Sequence, residues 1–404
     1  MSADRILTTH VGSLPRPKEL IEANYQRSKG QIDDAEFNRV LEESARRVVA
    51  KQLEIGIDVV NEGEYGHLMN AEIDYGAWWS YVFTRLSGLE VIDSERHAAA
   101  LAKQPTDKVV LSEFMARRDF EAFPAVYAES DAGENFDKEE GNVTEFPAVT
   151  GPIEYIGADA VARDTRLLRA GLDAAGADNA GFLAAVSPGS AVRLTNEYYE
   201  DQDAAVLAAA KPMGQEYKAI TDAGFTVQFD APDLAEAWDQ INPEPTLSDF
   251  QDWLKIRVDA INSALEGIPR EQSRLHVCWG SWHGPHTTDI PFEDIIDVVL
   301  EANVGGISFE ASSPRHGHEW RVWENRKLPE NFLIYPGVIS HNTNAVEHPR
   351  LVADRIIKFA EQVGPEHVVA STDCGLGGRL HEQIAWAKLE SLVEGAKIAS
   401  AELF

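Results

Sequence analysis

The residues best suited to chemistry in this sequence are its two cysteines, Cys278 and Cys374, and the histidine two places before the first, His276. His276 and Cys278 flank Val277 in an apolar run. On a β-strand, residues two apart point to the same face, so both side chains can reach one ion. Glu310 closes the next apolar run and Cys374 closes the last. One nitrogen, two sulfurs and one carboxylate oxygen suit Zn²⁺, at distances of roughly 2.0–2.3 Å. Thiolate ligands argue against magnesium and calcium. Two plainer readings stand beside this one. A free cysteine is often just a small buried hydrophobe, and a lone strand histidine is often a hydrogen-bonded structural residue. Against them, both cysteines fall at polar, glycine-flanked strand ends, where a core residue would be wasted.

For four such residues to meet, strands must bring their ends to one place. Short β-branched or apolar runs occur at 7–12, 58–61, 145–149, 182–186, 226–229, 275–279, 306–309, 332–335 and 368–371. Helix-like stretches at 34–55, 198–223, 247–265, 292–302 and 349–363 separate many of them. Such alternation indicates βαβ units and a parallel sheet, and the expected fold is α/β, a (β/α)₈ TIM barrel. Nine candidates compete for eight barrel positions, so one is extra or misread. A doubly wound sheet is disfavoured because no G-x-G-x-x-G turn follows an early strand. Several runs end in polar clusters, NEGE, FDAPD, HVCWG, FEAS and TDCG. In a barrel these ends converge on the mouth, where barrel enzymes place their active sites. The expected organisation is a single catalytic domain, 1–404, interrupted at about 85–145 by a charged segment. That segment is read as an inserted cap or a contact for another subunit in a homo-oligomer, or else as a solvated excursion with no role.

The chain has 404 residues, 44% of them hydrophobic, with a formal net charge of −31. So acidic a surface repels phosphate backbones, and no basic stripe offsets it, which argues against a nucleic-acid partner. No run of about eighteen apolar residues would span a membrane. The N-terminal residues lack the apolar core and small-residue cleavage site of a secretory signal, so a cytoplasmic location is expected. Two cysteines do not make a disulfide framework. Seven of the twelve histidines lie between residues 276 and 348, the stretch that also carries the candidate metal strands. His283, His286, His316 and His318 are expected to contact substrate or support the metal ligands rather than form a second metal site. The loop Trp279–His286, with Arg315–His318, is expected to shape the pocket.

The order HVC, FEAS, TDCGLG resembles the catalytic barrel of cobalamin-independent methionine synthase and its relatives. HVGSLPRP near the start, NEGE after the second candidate strand, QFDAPDL after the fifth and PGVISH before the final cysteine agree in order, so the resemblance spans most of the chain outside 85–145. It implies His276, Cys278, Glu310 and Cys374 as zinc ligands. It also implies Ser13 and Glu64 at the backbone of an amino-acid-like thiol, Asp230 at its ammonium group, and His341 as the general acid assisting the leaving group. The alternative for His341 is a structural residue capping the turn 342–344. Two departures bear on substrate. The family's D-E-P reads Asp230-Ala231-Pro232 here, and no aromatic follows Ser187-Pro188-Gly189.

The implied activity is zinc-dependent transfer of a methyl or alkyl group to a small-molecule thiol. A thiol is mostly protonated at neutral pH and its thiolate is the nucleophile, which is what a divalent ion would correct. Opening of an epoxide by a thiol such as coenzyme M is the alternative within that chemistry. Beyond it stand a metal-free decarboxylase-type barrel and a zinc-binding protein without turnover.

Overall fold

The computed structural model describes residues 4–67, 75–105, 107–112, 116–128, 145–178, 180–281 and 284–404. Within them the apolar runs form eleven strands: β1 (Leu7–Thr8), β2 (Val59–Val60), β3 (Leu89–Asp93), β4 (Glu145–Val149), β5 (Ala180–Val186), β6 (Thr195–Asn196), β7 (Thr226–Asp230), β8 (Ser273–Val277), β9 (Gly306–Phe309), β10 (Leu333–Ile339) and β11 (Val369–Thr372). Eight of these make one sheet in the order β1-β11-β10-β9-β8-β7-β5-β2, all its pairings parallel. Each strand neighbours the next barrel strand in sequence, which is the (β/α)₈ arrangement. The two ends of the sheet meet where Asp58 N donates to Thr8 O at 3.1 Å and Thr9 Oγ1 donates to Val59 O at 2.9 Å. The barrel is therefore nearly closed.

The ninth candidate strand has a different place. Glu145–Val149 is β4, the centre of a separate sheet ordered β3-β4-β6, antiparallel to β3 and parallel to β6. Local composition cannot separate it from a barrel strand, because both are short and half apolar.

The helices carry ordinary start and stop chemistry. Asp33 accepts from Glu36 N at the head of the helix Asp34–Ile55, and Gly56, at φ 98°, ends it. Such a cap contributes about 1 kcal/mol. Phe37, Leu41, Ala45, Val48 and Val49 give that helix one buried stripe against the barrel, as a 3.6-residue period requires. The helix Pro349–Val363 starts with proline after the capping His348. No helix among the described residues is long and apolar enough to cross a membrane.

Inside the barrel the strand period of two selects what points inward. On β8 this face carries Arg274 and His276, continuing to Cys278. Arg274 is buried, donating to Gln228 Oε1 at 2.8 Å and His10 O at 2.9 Å, with its guanidinium 3.9 Å from the Phe182 ring centre. Burial lowers its pKa to about 10. A buried cation of this kind needs such partners. It forms a polar floor beneath the rung on which Asp230 pairs with His276, and His276 with Ser308.

Candidate metal centre

His276 stands on β8, and Cys278 follows one residue past its end. Cys374 comes two residues after β11. A ligand atom of His276 and the sulfurs of Cys278 and Cys374 all lie within 4.8 Å of one another. Parallel register achieves this, since neighbouring strands end on the same side and their inward residues share a rung. His276 Nδ1 lies 3.2 Å from Ser308 Oγ, which orients the ring, and its buried Nε2 has no hydrogen-bond partner. Buried ring nitrogens are normally satisfied. An orphaned one beside two thiols fits a metal ligand, and an N,S,S donor set fits zinc. The thiols are unequal. A hydrogen bond from Cys278 holds the Cys374 thiol well below its ordinary range, with help from His276 and His341. That same bond, together with burial, pushes Cys278 well above it.

Glu310 falls into an adjoining trio. One of its oxygens lies within 4.8 Å of a His341 nitrogen and an Asp373 oxygen, all three residues being buried. Its Oε1 accepts from Trp279 N at 3.1 Å. Burial, with the nearby charges of Asp373 and Cys374, pushes its carboxyl well above the usual range. Three of the four expected ligands therefore converge, and the fourth stands beside them with a backbone N–H as partner. His341 is fully buried in this second trio. In the turn that His341 might have capped, it is Ser340 Oγ that accepts from Asn342 N, at 3.1 Å.

Asp373 was not singled out from the sequence, although TDCG displayed it beside Cys374. Its Oδ1 accepts from Ala311 N at 2.8 Å and Ser312 N at 2.9 Å, and its Oδ2 accepts from Ser312 Oγ at 2.5 Å. Burial raises its pKa to about 6 despite these bonds. The carboxylate ties the end of β11 to the residues after Glu310. Gly337 on β10 makes room for it, since a Cβ there would sit 2.2 Å from Asp373 Oδ1.

Across the mouth lie the three residues expected to hold substrate. Ser13 accepts through its carbonyl from Leu376 N at 2.9 Å and Gly377 N at 3.0 Å, and its Oγ occupies the space a Cβ on Gly375 would need. Glu64, in a left-handed turn at φ 59°, lays its carboxylate against Gly12. Asp230 Oδ1 accepts from Gln228 Nε2 at 2.8 Å. Burial and the nearby charge of Glu64 hold the Asp230 carboxyl well above its ordinary range, with Cys374 also within electrostatic reach. Ser13 and Asp230 are thus both drawn toward the Cys374 turn.

In the aromatic and histidine-rich loops the departure from expectation is Trp279. Trp279 is fully buried, donates its indole N–H to Ile290 O at 2.7 Å and stacks on His316 at 4.2 Å, so it is core rather than pocket wall. His316 lies 3.0 Å from Asp289 and 3.4 Å from Glu319, and His286 lies 3.1 Å from Asp289. Burial opposes protonation of His316, but the two carboxylates prevail and raise it to about 10. Arg315 and His318 are exposed. His283 lies outside the described residues.

Comparison with known proteins adds the chemistry of relatives. A family model described as "Cobalamin-independent synthase, Catalytic domain" matches residues 6–76. Over 98% of this chain and 94% of its own length, a methionine synthase of Thermococcus kodakarensis is 23% identical. In sequence the chain is thus similar to cobalamin-independent synthases and to methionine synthases. A 2-hydroxypropyl-CoM lyase of Xanthobacter autotrophicus is 31% identical over 179 residues, which is 38% of this chain and 46% of the lyase. In fold, the chain resembles a B12-independent methionine synthase from Shewanella sp. W3-18-1, with a TM-score of 0.67, 20% identity and 99% of each chain covered.

Proposed function

We propose that this chain is a zinc-dependent enzyme that transfers a methyl or alkyl group to a small-molecule thiol. The observation that carries the reading is the buried, partnerless His276 Nε2 within 4.8 Å of two thiols. His276, Cys278 and Cys374 would hold Zn²⁺, with Glu310 reaching in from the adjoining trio. When bound, the ion supplies the Lewis acidity that leaves a substrate thiol deprotonated at neutral pH.

The chain's own groups do the remainder. Ser13 and Glu64 would fix the substrate backbone beside the Cys374 turn, and Asp230, with the Glu64 charge nearby, would hold its ammonium group. His341 would hold the proton that the departing amine or alkoxide takes, a contribution typically worth about 10²–10⁴-fold. The 31% identity to the lyase supports an epoxide as a second class of donor. We take residues 1–404 as one catalytic unit interrupted by the 85–145 segment. The two unlinked thiols suit the reducing conditions of the cytoplasm.

The test is a screen of thiols against methyl donors and epoxides, with X-ray absorption at the zinc edge. A thiol-dependent product and one added sulfur scatterer on thiol addition are expected. Zinc that never gains sulfur would indicate a binding protein without turnover. A metal-free active enzyme would indicate a decarboxylase-type barrel.

A further inference from the structure

Among the described residues between β3 and β4, one carboxylate fastens the charged segment to the loop after β8. Asp119 is fully buried on the short helix Arg118–Ala122. Its Oδ2 accepts from His286 N at 3.2 Å, and its Oδ1 accepts from Thr287 N at 3.0 Å and Thr287 Oγ1 at 3.0 Å. Tyr127 OH donates to Oδ2 at 2.6 Å. The neighbouring residue Arg117, also fully buried, pairs with Glu236 and lies 3.7 Å from Asp239, while Asp119 N donates to Asp239 Oδ1 at 3.0 Å. The segment is thus fastened to the residues that follow β7 and β8.

What Asp119 holds leads inward by contact. His286 sits in the left-handed region at φ 55°, a conformation that costs a residue with a side chain roughly 1–2 kcal/mol and persists only where its surroundings fix it. Its ring lies 3.1 Å from Asp289, Asp289 lies 3.0 Å from His316, and His316 stacks on Trp279. Trp279 N then donates to Glu310 Oε1. The side chains along this path are almost wholly withdrawn from solvent, so displacement at one end is transmitted largely by packing.

We infer that Asp119 is a positioning residue of the reaction site, through which the inserted segment fixes the loop after β8 and, by way of Trp279, the Glu310 carboxylate. The kinetic part of this rests on the thiol-transfer reading above; the structural part does not.

Asp119→Asn keeps the volume and removes acceptor capacity, Asp119→Ala removes the clamp, and Tyr127→Phe removes one bond while sparing the loop amides. Hydrogen exchange of the peptide covering 284–291 should quicken about tenfold or more in both Asp119 variants, as loss of a charged acceptor implies, and stay unchanged in Tyr127→Phe. Protection of the helix Asp34–Ile55 and zinc content should match the unaltered chain. With an active thiol and donor, kcat should fall about tenfold or more at constant thiol KM, since small displacements near the chemistry are costly. Unchanged loop exchange in the Asp119 variants overturns the clamp, as does exchange that quickens only together with the helix. A loosened loop with unaltered kcat overturns the positioning role. If the chain transfers nothing to any thiol, the function reading fails while the exchange result still decides the clamp.

Discussion

Two buried polar regions of this molecule are built on opposite terms. Around Arg85 every charge is answered: its guanidinium reaches Asp164 at 2.5 Å and Glu216 at 2.9 Å, and the Tyr81 hydroxyl also reaches Glu216, at 3.2 Å. At the mouth, His276 Nε2 and both oxygens of Glu62 are buried with no partner. A buried polar group left unmatched costs about 1–3 kcal/mol. The first region holds the fold together, whereas the second accepts a cost that only a ligand or a reaction would offset. Between these two regions it is pairing, more than burial or charge, that differs.

The comparison can be broken at either end. Arg85→Met should be the most damaging change to stability, about 3–5 kcal/mol in urea unfolding, because it leaves buried Glu216 without a cation and Asp164 with Arg163 alone. It should leave zinc content per folded chain intact. A loss of metal with little loss of stability would reverse the two roles.

Ser308→Ala should act on the other side. It removes the group that orients His276, so zinc affinity measured by chelator competition should fall about 10–100-fold, with stability nearly unchanged.

Glu62→Gln tests whether an unmatched group is held against stability. Burial and the nearby charge of Asp164 raise the Glu62 carboxyl well above the ordinary range in the folded chain. Its stabilising protonation is therefore complete below about pH 4.3, the unfolded value, and is lost as pH rises toward the folded value. Glutamine should flatten that decline and raise stability at pH 7.5 by about 1 kcal/mol. A destabilised variant would mean that Glu62 has a structural partner.

Much of this was legible in the sequence for a definite physical reason. Barrel strands are buried on both faces and end in polar residues, so apolar runs closed by HVCWG, FEAS or TDCG marked both the sheet and its mouth. The period of two placed His276 and Cys278 on one face. That argument links residues of one strand only: Glu310, one residue past β9, follows another, and its place beside His341 and Asp373 was not readable. Which of the nine candidate strands stood outside the barrel was not readable, because β4 and the barrel strands share one local pattern. Arg85, Arg117 and Arg274 were invisible as buried residues, since their partners Glu216, Glu236 and Gln228 lie 131, 119 and 46 positions away.

The central claim is that His276, Cys278 and Cys374 are gathered to hold an ion. Zinc in the purified chain, measured by mass spectrometry beside Cys374→Ala, tests it most directly. The account predicts about one zinc per chain, as in a mononuclear site, and none retained after dialysis of the variant. An unaltered chain that takes up no zinc, or a variant that keeps its zinc, would contradict it.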